Sequence, residues 1–206
     1  MNAGPTSVRV YQVLRDAILR GEMRPGTHLD PVTIAGELAA STTPVREALC
    51  RLTGEDLLET RQGSGFMLPL LDEPKLQDLY AWTGDLVALG LRSAGTRNAI
   101  AVQATVAEPD NTDASTDYAD ASARVFAKIV AGSSNSEHGA AMARANAQLH
   151  PIRMLEPDVL SDAHKELQML TSTAREGSVT ALRQHCATYL RRRRRAAAEL
   201  LRRRYR

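Results

Sequence analysis

The chain has 206 residues, 43% hydrophobic and 24% charged, and a formal net charge of +2. That length supplies one small and one medium domain, each with its own core. No apolar run is long enough to span a bilayer, the opening MNAGPTSVRV lacks the apolar segment of a signal peptide, and Cys50 and Cys186 stand in helical patterns without metal-ligand spacing; a cytoplasmic protein with free thiols and no membrane partner is expected.

In chain order, residues 30–68, DPVTIAGELAASTTPVREALCRLTGEDLLETRQGSGFML, predict two short helices joined by a tight turn, then a β-hairpin tipped by Gln62-Gly63-Ser64-Gly65. Asp30 is suited to cap the first free amides of a helix, and Pro31 to the first helical position, where no donor is needed. Ile34, Ala35 and Leu38 form an apolar stripe at helical spacing, and Ala39-Ala40-Ser41 makes the turn. Thr43-Pro44 repeats the cap-then-proline signal, with Glu47 offered as capping-box partner to Thr43. Val45, Ala48, Leu49 and Leu52 bury one face, leaving Thr42, Thr43, Arg46 and Glu47 exposed near the N-terminal end. Gly54 closes the helix and Leu57-Leu58 anchors the hairpin. A helix pair of this length with a glycine-tipped hairpin behind it is a winged helix-turn-helix, which makes duplex DNA the first partner to consider. The blander reading is a small helical hairpin set against a larger core.

This stretch closely resembles the DNA-binding domain of the GntR family of bacterial transcription regulators. The resemblance runs over residues 8–68 and is carried by VYQVLRDAILRGEMRPGTHL (residues 10–29, with Gly21, Pro25 and Gly26), by TPVREAL (residues 43–49) and by LLETRQGSGFML (residues 57–68). Many members have Arg immediately before TPVREAL; this chain has Thr42, which offers a hydroxyl and a methyl group in place of a forked donor.

Residue chemistry then suggests roles. Arg46 has the paired donors that fit guanine O6 and N7, and its alternative is an internal pair with Glu47 or Glu55. Ser41, Thr42 and Thr43 supply short hydroxyls for phosphate oxygens or base edges beside a positive helix end. Gly63 and Gly65 allow close backbone approach to a groove, with Gln62 and Ser64 as polar contacts, or they simply make a tight hairpin. Residues 1–70 carry seven Lys+Arg against eight Asp+Glu, residues 71–182 nine against fifteen, and residues 183–206 ten against one. The N-terminal third is therefore not globally basic. Affinity for a polyanion must come from placed arginines such as Arg9, Arg15, Arg46 and Arg61, helped by two copies acting together.

Beyond residue 68 the pattern is helical. Residues 69–74 form a short linker; helices are expected over 75–93 (Leu76, Leu79, Trp82, Leu86 and Leu89 buried), 97–107, 117–131, 136–155, 157–175 and 178–204, with a polar loop over 108–116. The fold class is thus mainly α: a winged helix-turn-helix over residues 1–69, then an antiparallel all-helical bundle over residues 75–206 for effector binding and dimerisation. That bundle resembles the FCD-type (FadR-like) effector domain, on helix order, on LQDLYAWTGDLVALGLRSA (residues 76–94), and on the AGSSN and REGS turns (residues 131–135 and 175–178). The resemblance implies a divalent metal bound by one Asp and three His, but Ser122, Phe126, Leu167 and Tyr189 stand at those positions, and Thr83 stands near that of an effector-binding Arg. No metal and no cofactor are therefore expected. His138, His150, His164 and His185 are read as surface histidines, with a metal as the alternative reading. Trp82, Phe126, Leu167 and Tyr189 become candidates to line an apolar effector pocket or, equally, to fill it.

The C-terminal run Arg191–Arg195 and Arg202, Arg203, Arg204 and Arg206 lie beside an apolar stripe of Val179, Leu182, Cys186, Tyr189, Leu190, Ala197, Leu200 and Leu201. These arginines decorate a packed helix, either pairing with the acidic middle of a subunit or adding a second phosphate-contacting surface. The sequence shows no nucleophile elbow, phosphate loop, zinc-protease helix or supported carboxylate pair, so no enzyme is expected; Ser64 lacks the GxSxG spacing. The expectation is a homodimeric, sequence-specific regulator, a repressor by its resemblance, reading a palindromic operator under control of a small-molecule effector. The alternative is an effector-independent or non-specific, nucleoid-type binder.

Overall fold

The computed structural model describes residues 4–61, 65–93 and 114–206, and the chain divides into two compact units, Met1–Leu71 and Asp72–Arg204. The wing-tip residues Gln62, Gly63 and Ser64, the expected helix over 97–107 and most of the polar loop over 108–116 lie outside the described residues.

In the first unit, α1 (Gly4–Leu19) buries Val10, Tyr11, Leu14, Ala17 and Ile18, a stripe at helical spacing. Gly21, at φ +71, ends it as its amide bonds to the Ile18 carbonyl and that of Glu22 to Ala17. Arg24-Pro25-Gly26-Thr27 then forms a tight turn closed by the Thr27 amide on the Arg24 carbonyl at 3.0 Å. Gly26 sits at φ +84, where proline before it and glycine after the bend suit a type II turn. A Cβ there would also meet Leu70 at 2.9 Å. The Gly26 amide reaches the Leu68 carbonyl at 2.8 Å and leads into β1 (His28–Leu29). With β2 (Glu59–Arg61) and β3 (Gly65–Met67), it forms a three-stranded antiparallel sheet of order β1-β3-β2, in register Leu29 with Phe66 and Thr60 with Phe66.

The second unit is helical throughout its described residues: α4 (Glu73–Ser93), α5 (Ala114–Ala131), α6 (Ser136–Arg153), α7 (Glu156–Val159), α8 (Ala163–Glu176), α9 (Val179–Arg195) and α10 (Ala197–Arg204). α4 packs against α5, α6 and α9, and α5 against α6 and α8. At Gly90 the helices come so close that a Cβ would sit 2.8 Å from the Ile129 carbonyl oxygen, so α4 and α5 meet backbone to backbone.

Three expected features of the bundle change. The helix over 157–175 is two helices, because the chain turns at Leu160 (φ −119, ψ 97). The helix over 178–204 breaks at Ala196, whose amide is shared between the Arg192 and Arg193 carbonyls, a tightened last turn. On α4, Leu76, Tyr80, Thr83, Leu86, Val87, Gly90 and Leu91 are the buried positions, while Trp82 is 45% exposed and Leu79 and Leu89 are half-buried. The inner face is rotated because polar groups occupy it: the Thr83 hydroxyl donates to the Leu79 carbonyl at 2.9 Å and the Tyr80 hydroxyl to Glu156 at 2.7 Å.

Candidate nucleic-acid interface and bundle interior

The helix pair is built by its caps. Asp30 Oδ2 accepts from both the amide and the hydroxyl of Thr33 at 2.8 Å, which holds its carboxyl below the usual range, the backbone bond being the main cause. α2 (Pro31–Glu37) follows with Pro31 in its first turn and buries Ile34 and Ala35. The turn places Ala39 at φ +47, a left-handed conformation that a side chain adopts at some cost. α3 (Thr42–Gly54) has Ser41 at its N-cap position, two residues earlier than the Thr43-Pro44 signal suggests, and the Ser41 side chain makes no capping hydrogen bond. Thr43 is thus already helical and forms no capping box with Glu47; Pro44 is tolerated because the first turn needs no internal donor. The helix end is also displaced: the left-handed residue is Asp56, at φ +59, and not Gly54.

α3 buries Pro44, Val45, Ala48, Leu49 and Leu52, so the opposite edge is open. Ser41, Thr42, Thr43, Arg46 and Glu47 are all exposed. Thr42, Thr43 and Arg46, spaced by three and four residues, share one face at the positive end of the helix. Arg46 has no hydrogen bond or ion pair among the described residues, with neither Glu47 nor Glu55; Glu55 is engaged elsewhere. Glu55 accepts the Tyr11 hydroxyl at 2.8 and 2.9 Å, pairs with Arg51 at 3.2 Å and faces Arg15 at 3.8 Å. Arg51 in turn lies 3.7 Å over the Tyr11 ring. Burial, then the bond to Glu55, pushes the Tyr11 phenol up. Of the four arginines expected to supply affinity, Arg9 instead holds the Leu38 carbonyl at 3.0 Å and Arg15 belongs to the Glu55 cluster. The backbone of Arg61 pairs opposite Gly65 in the wing. Gly65 is exposed at φ +70, a conformation that favours glycine, and a Cβ added there would come within 3.3 Å of the His28 imidazole.

The bundle interior is not the apolar space expected. Phe126, Leu167 and Tyr189 are buried there, with the Phe126 and Tyr189 rings edge to face at 5.4 Å, but the exposed Trp82 is not among them. The centre is instead a carboxylate, Glu156, fully buried on α7. Its Oε1 accepts from Tyr80 at 2.7 Å; its Oε2 accepts from Tyr118 at 2.7 Å, Tyr189 at 3.1 Å and Arg193 Nε at 2.8 Å. Arg193 also donates to Glu166 and to the Tyr118 hydroxyl, and stacks 3.4 Å over the Tyr189 ring. Burial, reinforced by the Glu156 charge, pushes the Tyr80 and Tyr118 phenols well above their ordinary range and raises that of Tyr189. Ser122, Phe126, Leu167 and Tyr189, where the resemblance expects metal ligands, are parts of this packed interior.

Sequence reading missed Glu156, Arg193 and Arg153, although the two arginines fall on the buried stripes of α9 (Leu182, Cys186, Tyr189, Leu190) and α6 (Met142, Asn146, Leu149). The C-terminal arginines do pair partly with the acidic middle of the same chain: Arg192 with Glu166 at 2.7 Å, and Arg203 with Asp158 at 3.0 Å. The four bundle histidines meet separate neighbours: His138 meets Ser133, His150 meets Asp120 at 3.0 Å, His164 lies edge-on to Tyr118 and His185 meets Thr173. His150 is buried, contrary to the surface reading. Among the described residues no group of three or more His, Cys, Asp or Glu side chains gathers to hold a metal ion, and no helix is long and apolar enough to cross a membrane.

Residues 6–68 match the family model described as bacterial regulatory proteins, gntR family. The Nta operon transcriptional regulator of Aminobacter aminovorans is 40% identical over 74 residues, 36% of this chain and 35% of that protein. The gluconate operon transcriptional repressor of Bacillus subtilis (strain 168) is 36% identical over 80 residues, 39% of this chain and 32% of that protein. The chain therefore aligns with only about a third of the length of either relative. Two solved structures share the fold over nearly all of it. E. coli McbR/YncC has a TM-score of 0.61 at 16% identity, covering 94% of this chain and 97% of its own. A Rhodococcus sp. RHA1 protein described as a transcriptional regulator GntR has a TM-score of 0.56 at 23% identity, covering 95% and 97%. The N-terminal unit is a GntR-family winged helix-turn-helix domain, followed by a helical region.

Proposed function

We propose that the protein is a sequence-specific DNA-binding transcriptional regulator, acting as a homodimer on a palindromic operator, with a helical bundle that answers to a small-molecule effector. The observation that carries the DNA-reading part is Arg46: exposed at the positive end of α3, on the same face as Thr42 and Thr43, with no partner among the described residues. A guanidinium held free beside two hydroxyls and a helix N-terminus suits a guanine edge flanked by phosphates. Ser41 and the hydroxyls of Thr42 and Thr43 take phosphate oxygens, and the wing of Gln62, Gly63, Ser64 and Gly65 approaches the neighbouring backbone. Two such heads a helical turn apart supply the affinity that one weakly charged domain lacks. The two curated relatives are an operon regulator and an operon repressor, which favours repression as the outcome.

A second reading draws on the exposed edge of Arg191, Arg194 and Arg195 on α9, which suits non-specific phosphate contact. Genomic fragments recovered on the purified protein, compared with random duplex across a salt series, separate the two. The regulator reading expects at least about a thousandfold preference for one recovered fragment; equal affinity for all duplexes defeats it.

A further inference from the structure

The capping box expected between Thr43 and Glu47 does not form, since Thr43 is already helical and Ser41 holds the N-cap position. Glu47 is thereby left without an internal task. Its ordinary helical partner is engaged elsewhere too. Arg51, one turn further along α3, is the cation with which an acid at position 47 would pair. Arg51 instead bonds to Glu55 at 3.2 Å and lies 3.7 Å over the Tyr11 ring. Glu47 is exposed and has no hydrogen bond or ion pair among the described residues. It is also the sole acid within α3. With Pro44, Val45, Ala48, Leu49 and Leu52 buried, Thr43, Arg46, Glu47 and Cys50 form the middle of the opposite, outward side, spaced by three and four residues. A carboxylate thus stands beside Arg46 on the face assigned to the bases.

Such a charge, carried between rows of phosphates, opposes binding unless a base donor receives it. In the major groove those donors are the exocyclic amines of cytosine and adenine. Adenine sets the N7 acceptor beside its amine, which repels a carboxylate oxygen, whereas cytosine carries no second acceptor on that edge. Thymine O4 and guanine O6 and N7 are acceptors and leave the carboxylate unanswered. Arg46 and Glu47 are successive residues, about 1.5 Å apart along the helix axis, so they reach the same base pair or neighbouring ones.

We propose that Glu47 is a base-reading residue that accepts from the N4 amine of a cytosine, in the pair read by Arg46 or the one next to it. The inference rests on α3 being the reading helix and adds a base that this helix selects. Glu47 sharpens specificity chiefly by exclusion: the wrong base leaves a desolvated carboxylate facing acceptors.

The test incubates the full chain with a randomised duplex library and sequences what is bound, for the parent, Glu47→Ala and Glu47→Gln. The parent is expected to select cytosine at one position of each half-site. Glu47→Ala loses that preference by about fivefold or more while keeping the others, the guanine of Arg46 included. Glu47→Gln, whose amide both donates and accepts, moves the preference to adenine, through N6 and N7. Circular dichroism verifies helical content, and either variant suffices if the other is unfolded. A selective parent whose folded variants keep every one of its base preferences overturns the inference and leaves the regulator reading standing. So does tighter binding of Glu47→Ala to all duplexes by one common factor, the mark of relieved charge repulsion alone. A parent with no base preference at any position defeats the regulator reading itself, and this inference with it.

Discussion

The two units use arginine in opposite ways. In the first, arginines lie at the surface and most are tied down locally: Arg9 on a helix-end carbonyl, Arg20 on Glu22, Arg15 and Arg51 around Glu55. Arg46 and Arg24 are exposed with no side-chain bond or ion pair among the described residues, and of the two Arg46 shares its face of α3 with Thr42 and Thr43. In the second, Arg193 and Arg153 are sealed inside. An exposed charge is solvated and costs the fold little, so it remains available to a polyanion. A buried one must be answered by the fold, as Glu156 answers Arg193. The same residue type thus marks an outward-reading surface in one unit and an internal electrostatic frame in the other.

This contrast predicts effects of very different size. Glu156→Ala removes the acceptor of four donors and leaves Arg193 charged in the interior, and is expected to destabilise the second unit by about 3–5 kcal/mol in urea or thermal melts. Glu22→Ala, which breaks the exposed pair with Arg20, is expected to cost less than about 1 kcal/mol. Comparable losses from the two would erase the distinction. Gly90→Ala forces a methyl group against the Ile129 backbone and should cost about 1–3 kcal/mol, again by melting.

The buried phenols set a pH dependence. Tyr80, Tyr118 and Tyr189 have raised folded values against an ordinary 10.0, so above that pH the folded state keeps protons that the unfolded state has lost. Their contribution is fully present below about pH 10 and falls as pH rises beyond it. An alkaline series should show stability declining, with tyrosinate absorbance appearing together with loss of helix. Absorbance rising fully before helix is lost would mean that the phenols are not held as described.

Much of the first unit was legible because its signals are local. Asp30 caps the residue three positions on, the α3 stripe repeats every three or four residues, and the glycines at 21, 26 and 65 sit at positive φ. The differences there are shifts of two residues, Ser41 at the N-cap position in place of Thr43 and Asp56 turning in place of Gly54. The bundle was legible only as helices. Its interior joins residues 33 to 76 positions apart, Glu156 with Tyr189 and Tyr80, and nothing in hydropathy encodes such pairs. Trp82 reads as inward from its place in the apolar stripe of Leu76, Leu79, Leu86 and Leu89, whereas Thr83 and Tyr80 take the inner positions because their hydroxyls find acceptors there. Arg193 and Arg153 sit on apolar stripes where a charge reads as an interruption, yet that interruption was the signal of a buried polar network.

Arg46→Ala offers the most direct measurement of the DNA-reading account, made on a genomic fragment recovered with the parent protein. The account predicts loss of at least about tenfold to a hundredfold in affinity for that fragment, the value of a bidentate guanine contact. Helical content should be unchanged and stability within about 0.5 kcal/mol of the parent, since the side chain is exposed and unpaired among the described residues. A variant that binds the fragment as tightly as the parent would contradict the assignment of α3 as the reading helix.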